Sequence, residues 1–303
     1  MLAQQAFPQR PVTLVVPFAP GGIADLTARA VAEAMARPLG QPVVVDNKPS
    51  AGSIVASAAV AQARPDGHTL LLMSNANAVS ASLFRKLPYD VQRDFAPIGS
   101  IGFFELALVV DARSRFATLA ELLAHAKARP GQLTIATIAV GSTQHLAAEL
   151  LKSTLGIDAL IVPYKGTPAV LTALRAGDAD VAVEILGPVL PQVSGHVLRV
   201  LATTGEQRSV ALPEVPTVQQ ASGVHYAVAS WNALAAPAGT PPAVIERLAA
   251  VLRQALDDAA VRQRLAALSV RAEAGSPQAL RSLLDSEIRR WAAVIRAAKI
   301  EPE

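Results

Sequence analysis

The stretch VTLVVPFAPGGIADLTAR, residues 12–29, decides how the rest of the chain is read. Thr13–Val16 is a short apolar run of the kind that forms a strand buried on both faces. It breaks at Pro17, and Pro20, Gly21 and Gly22 follow. Leu26, Ala30 and Ala34 then recur at i+4, joined by Val31 and Met35, with Arg29, Glu33 and Arg37 on the opposite face. That periodicity predicts a helix with one solvated side. Strand, tight turn and helix make one α/β unit. Glycine at the turn lets backbone approach another object closely. The helix it opens has first-turn amides with no partner inside the helix, at the positive end of its dipole. Such an end accepts a carboxylate or phosphate without a cationic side chain. Spacing alone leaves two readings: an anion site, or an ordinary strand–turn–helix joint in which Asp25 serves only the electrostatics of the helix start.

The same grammar extends outward. Strands are expected at Thr13–Val16, Val43–Val45, Thr69–Met73, Ile98–Ile101, Leu106–Val110, Leu133–Thr137, Leu160–Val162, Val181–Ile185 and Val197–Ala202. Helical patterns alternate with them at Ile54–Ala63, Leu119–Arg129, Gln144–Leu155 and Ala169–Ala176, and dominate the last third at Pro242–Leu256, Ala259–Leu268 and Pro277–Ala298. In the last of these, Leu280, Leu284, Ile288, Trp291 and Ile295 form a core stripe. Alternation of this kind points to a parallel α/β architecture. No internal repeat, low-complexity tract or long linker is visible. The segments at 96–102 and 225–242 read as crossings between two lobes, residues 1–100 with 226–303 and residues 101–225, which would leave a ligand cleft between them.

Composition excludes several classes of function. The chain has 303 residues, 51% hydrophobic and 17% charged, enough to bury a large core. Lys and Arg total 27 against 24 Asp and Glu, without runs, so no phosphate-tracking stripe for nucleic acid is formed. Without cysteine there are no disulfides, thiol chemistry or iron–sulfur centres, and either side of a membrane is compatible. Five histidines without H-x-x-x-H spacing argue against zinc. Neither G-x-x-x-x-G-K-[ST] nor G-x-G-x-x-G occurs, and no cofactor is expected. The N-terminal MLAQQAFPQRP lacks a charged and an apolar leader region and reads as the start of a mature protein whose signal peptide has been replaced by Met1.

A second turn repeats the theme of the first. In TIAVGSTQHLAAELL, residues 137–151, an apolar strand ends in small residues and a helix follows. Ser142 and Thr143 are capping types whose hydroxyls can also donate to a ligand oxygen. Ser142 and His145 invite a nucleophile-and-base reading, yet no third group and no G-x-S-x-G elbow accompanies them, and a structural histidine is the simpler account. Asn75 and Asn77, after the strand at 69–73, are either turn residues or ligand-facing loop residues. Glu184, an acid within VAVEILGP, is either a paired structural acid or a ligand-recognising one, since an isolated buried carboxylate is costly.

PFAPGG with its following D and AR, LGQPVVVDNKPSAGS, ARPDGHTLL, LPYDVQRDFAPIG, GSTQHLAAEL, VPYKGTPA, LPEVPTV and WNALAAPAGTP occur in this order along most of the chain. Together they resemble the Bug family of extracytoplasmic solute receptors, the TctC-type receptors of tripartite tricarboxylate transporters. The resemblance implies a periplasmic-binding-protein fold of type II, a Venus flytrap of two α/β lobes, acting as a receptor rather than an enzyme. It implies a small carboxylated solute, such as an amino acid, a di- or tricarboxylate or a pyridine carboxylate, captured for uptake or sensing. It further implies a membrane permease or sensor protein as partner, action as a monomer, and a periplasmic location. Ligand-binding positions carried over from the family are Phe18, Ala19, Gly21, Gly22, Ile23 and Asp25 in the first lobe. In the second they are Val140, Gly141, Ser142, Thr143 and His145. Tyr164, with Lys165, matches the VPYKG element as a ligand-facing or structural pair. To these the residues themselves add Asn75, Asn77, Ile138 and Glu184 as candidates. Three positions depart from the family pattern: Glu184 stands where relatives often carry aspartate, Ile138 where a small polar residue is common, and Ala233 where glycine is common. Ile138, with Phe103 and Phe104, favours a ligand with an apolar portion. The alternative is an enzyme on a similar two-lobed fold acting on a small carboxylate through Ser142 or Glu184.

Overall fold

A computed structural model describes residues 7–302, and in it the chain divides into two compact units. Unit 1 holds the residues up to Phe103, Trp231–Ala292 and the last residues from Pro302; unit 2 holds Phe104–Ser230 and Ala293–Glu301.

Unit 1 begins with β1 (Val12–Val16), α1 (Ile23–Leu39) and β2 (Val43–Asn47). A 3₁₀ turn at Ala51–Ser53 leads into α2 (Ile54–Ala61), followed by β3 (Thr69–Ser74) and α3 (Asn75–Leu83). Then β4 (Phe95–Asp111) carries the chain into unit 2, so the division falls inside this strand. Unit 2 continues with α4 (Leu119–Ala128), β5 (Leu133–Ile138), α5 (Thr143–Leu155), β6 (Ala159–Tyr164), α6 (Thr167–Ala176), β7 (Val181–Ile185), α7 (Leu186–Ser194), β8 (Leu198–Thr203) and α8 (Val218–Ser222). The chain returns along β9 (Ala229–Pro237), and unit 1 is completed by α9 (Pro242–Asp257), α10 (Ala259–Ala267), β10 (Val270–Ala272) and most of α11 (Pro277–Ala297).

In unit 1 the strands run β2-β1-β3-β9; β1 is parallel to β2 and β3, whereas β9 is antiparallel to β3. In unit 2 they run β6-β5-β7-β4; β5 is parallel to β6 and β7, whereas β4 is antiparallel to β7 and to β8. The α/β class expected from the sequence is therefore present, but the sheets are mixed rather than parallel throughout. The two strand–helix–strand sets β1-α1-β2 and β5-α5-β6 also form a repeat of topology that residue identities do not display.

Two further corrections concern single elements. Ile98–Ile101 and Leu106–Val110, expected as separate strands, are one strand, β4. Its glycines meet other backbone closely: a Cβ on Gly102 would collide with the carbonyl of Arg271 in β10, and one on Gly99 with that of Gly275, in the segment that follows β10. The SNANAV segment, read as turn or loop, begins α3, where Ser74 and Asn77 form a reciprocal cap.

Candidate functional site

Each unit carries one strand–turn–helix element at the C-terminal edge of its parallel strands, and the two share a construction. In unit 1 the turn follows β1. Gly21 has φ +85°, a conformation natural to glycine, and its amide donates to Asp25 Oδ2 at 2.9 Å, four residues on. In unit 2 the turn follows β5. Gly141 has φ +75°, and its amide points to His145 Nδ1, again four residues on, in a long 3.5 Å contact. A side chain in the first turn of each helix thus holds the glycine that shapes the loop.

The brace in unit 1 is the stronger. Asp25, only 2% exposed, also accepts from Arg29 Nε at 3.0 Å and Asn47 Nδ2 at 2.9 Å. Asn47 in turn donates to the carbonyl of Phe18 and accepts from Arg29. Burial opposes ionisation of Asp25, but the hydrogen bonds from Arg29, Gly21 and Asn47 outweigh it and hold the carboxyl below its ordinary range. Both carboxylate oxygens are engaged by Gly21, Arg29 and Asn47, so Asp25 positions the loop. What the loop offers lies beyond it: Ala19, Gly21 and Gly22 are exposed, Phe18 and Ile23 half-buried, and no side chain caps α1, whose N-cap is Gly22. Asp25→Ala is expected to lower stability by about 2–3 kcal/mol at pH 7, read by urea denaturation. Since the folded-state pKa is depressed, this contribution is complete above the unfolded value of about 3.9 and is lost as pH falls through the folded one.

In unit 2, Ser142 caps α5, its Oγ accepting from His145 N at 3.1 Å and donating to Ile138 O at 3.3 Å. The hydroxyl is spent on the fold, and the His145 ring faces Gly141 rather than Ser142, so the nucleophile-and-base pairing is not formed. Burial lowers the His145 pKa and keeps the ring neutral near pH 7. Val140 is exposed; Gly141 and Thr143 are half-buried. Ile138 and Tyr164 stand side by side in the β5–β6 register and pack against the unit 2 core. Lys165 is exposed.

Glu184 on β7 is fully buried. Its Oε2 accepts from Thr167 Oγ1 at 3.0 Å and, at 3.5 Å, from Gln144 Nε2, residues in the first turns of α6 and α5. Oε1 has no hydrogen-bond partner among the described residues. Burial pushes its pKa up to about 7.

Asn75 and Asn77 are both fully buried at the start of α3. Asn77 accepts from Ser74 N and donates to Ser57 Oγ, and Asn75 accepts from Trp291 Nε1 at 2.7 Å. Their amides are thus built into the frame of unit 1. A residue the sequence reading passed over is Asn232, fully buried on β9 opposite Ser74, with neither amide atom partnered among the described residues. It sits at the sheet edge from which the Pro17–Gly22 turn also departs. It lies within the WNALAAPAGTP motif, next to Ala233. Among the described residues no group of three His, Cys, Asp or Glu could hold a metal ion, and no helix is long and apolar enough to cross a membrane.

Two mixed α/β units, each with a glycine turn feeding a helix start, define the class: a solute-binding protein of the periplasmic-receptor fold. BugD, described as a periplasmic binding protein, matches with a TM-score of 0.84 at 30% identity, covering 98% of this chain and 100% of its own. Residues 27–300 match the family model for the tripartite tricarboxylate transporter family receptor, TctC, and the chain belongs to that family. BugT of Bordetella pertussis is 35% identical over 97% of this chain and 91% of its own. Two solved relatives carry ligands. MatC of Rhodopseudomonas palustris, with bound malate, has a TM-score of 0.82 at 32% identity, covering 95% of this chain and all of its own. Rpa4515 of R. palustris, with adipate, has a TM-score of 0.86 at 32% identity, covering 98% and 100%.

Proposed function

We propose that this chain is a periplasmic receptor that captures a small dicarboxylate or related carboxylated solute and delivers it to a membrane permease of the tripartite type. The observation that carries the reading is the uncapped start of α1, with exposed Gly21 and Gly22 braced from behind by Asp25. A helix start of this kind supplies oriented N–H donors and partial positive charge, which suits a carboxylate. The Gly141–Thr143 turn at the start of α5 has the same construction in unit 2 and would suit an oxyanion in the same way. Arg29 is committed to Asp25 and Asn47, so backbone rather than a guanidinium fork would do the recognition. That relatives at 32% identity hold malate and adipate supports a dicarboxylate in particular. BugD, a periplasmic binding protein, supports the periplasmic location, and the family's description as a transporter receptor supports the permease.

A thermal-shift screen of malate, adipate, citrate, glutamate and nicotinate tests the reading. Ligand at about 100 times Kd stabilises by about 2.7 kcal/mol, so a true ligand should raise Tm by roughly 4 °C. No shift with any carboxylate would remove the proposal.

A further inference from the structure

Glu184 is placed where its charge matters for any anion held by unit 2. Its Oε2 accepts from side chains in the first turns of both α5 and α6, Gln144 and Thr167, so an ionised Glu184 would set a negative charge beside the two helix starts and repel an anion held there. Its Oε1 lies fully buried with no partner among the described residues. A charged carboxylate buried in that position carries a desolvation cost, which the backbone amide of Ile185 only partly offsets, whereas a protonated one carries no charge to compensate. We propose that Glu184 is a specificity-determining residue that must hold a proton on Oε1 for an anionic solute to bind at the starts of α5 and α6, so that capture of the solute takes up a proton. The inference rests on the carboxylate reading above. It assigns to this turn an oxyanion partner and excludes an ammonium group there, which would select the ionised form instead. The raised pKa of Glu184 agrees with it.

Other charged groups on the surrounding elements are few. On α5 the first turn presents neutral Gln144 and His145, with Glu149 and Lys152 further along. On α6 it presents Thr167, Arg175 lying in the last turn, and the loop before α6 carries Lys165. Ala107 is opposite Glu184 on β4, with Glu105 two residues away on the same face. Neither β5 nor α7 contains a charged residue. Burial lowers the pKa of His145 and raises that of Glu184, so it drives the two titrations in opposite directions.

Calorimetric titration with malate, and separately with adipate, from pH 6 to 9 is the test. For the native sequence, affinity should be level near pH 6 and fall about tenfold per pH unit above about 7.5, with about one proton taken up per ligand at pH 8. Glu184→Gln, neutral at every pH, should remove the slope. A flat native profile, an unchanged slope in Glu184→Gln, or an affinity that rises with pH would overturn the inference while leaving the carboxylate reading standing. Binding of neither acid at any pH would overturn both. Should Glu184→Gln not fold, carboxyl NMR of the native protein decides: saturating ligand must raise the Glu184 midpoint, and an unmoved midpoint refutes the proposal.

Discussion

Gly22→Val is expected to lower affinity for a bound carboxylate about 100-fold or more while leaving Tm within a few degrees. Gly22 has an ordinary extended backbone, φ −81° and ψ 169°, and a Cβ built there meets only Ala19 O, at 3.8 Å. The fold therefore has room for a side chain and no need of a left-handed residue at this position. A ligand does not have that room, because valine would stand in front of the α1 amides. Hydrogen bonds from backbone to a charged group are worth about 1.5–3 kcal/mol each, so losing two costs about 3 kcal/mol, which is two decades of Kd. Gly21 makes the contrast. It too has open space around a Cβ, but its φ of +85° would strain any other residue, so Gly21→Val mixes a stability loss with a binding loss. Paired calorimetry and melting curves on the two variants read the difference. Undiminished affinity in Gly22→Val would take the first turn out of the site.

Trp291→Ala is expected to remove about 4–5 kcal/mol of stability, measured by urea denaturation. Trp291 is fully buried in unit 1, and its Nε1 donates to Asn75 Oδ1 at 2.7 Å and Glu287 Oε2 at 2.8 Å. Truncation opens a cavity, a loss of about 3–5 kcal/mol for this residue type, and withdraws a donor from two buried acceptors. Trp291→Phe keeps much of the volume and loses only the donor, so about 1–3 kcal/mol is expected. Burial raises the Glu287 pKa, against the lowering effect of Arg290 and of its bond to Trp291. Removing that bond should raise it further, which carboxyl NMR would record. Equal stability of the Ala and Phe variants would contradict this division between volume and hydrogen bond.

Val181–Ile185 is a strand with the bounds its apolar run announces, because a strand buried on both faces needs nothing but such a run. β4 runs unbroken through residues 102–105, between the two apolar runs Ile98–Ile101 and Leu106–Val110, and only the close approach of Gly275 and Arg271 accounts for glycine at 99 and 102. The stripe of α11 was legible in Leu280, Leu284 and Trp291, but the buried Glu287 was not. An indole N–H needs an acceptor, and nothing local says which residue supplies it. At the site, both glycine turns could be seen in the sequence, since turn chemistry and helix starts are local. The brace on Gly21 was half visible: Asp25 lies within the same turn, but Asn47 arrives from the next strand. The depth of Glu184 and the orphaned amide of Asn232 depend on what packs over them from elements distant in sequence.

Recognition of the carboxylate group itself, by backbone donors at helix starts, is what the proposed function requires of this protein. Calorimetric titration of the native chain at pH 6 with adipate and with its diamide, which has the same chain but no charge, addresses it most directly. The account predicts saturable one-to-one binding of the dicarboxylate and none of the diamide. Equal binding of the two would contradict it.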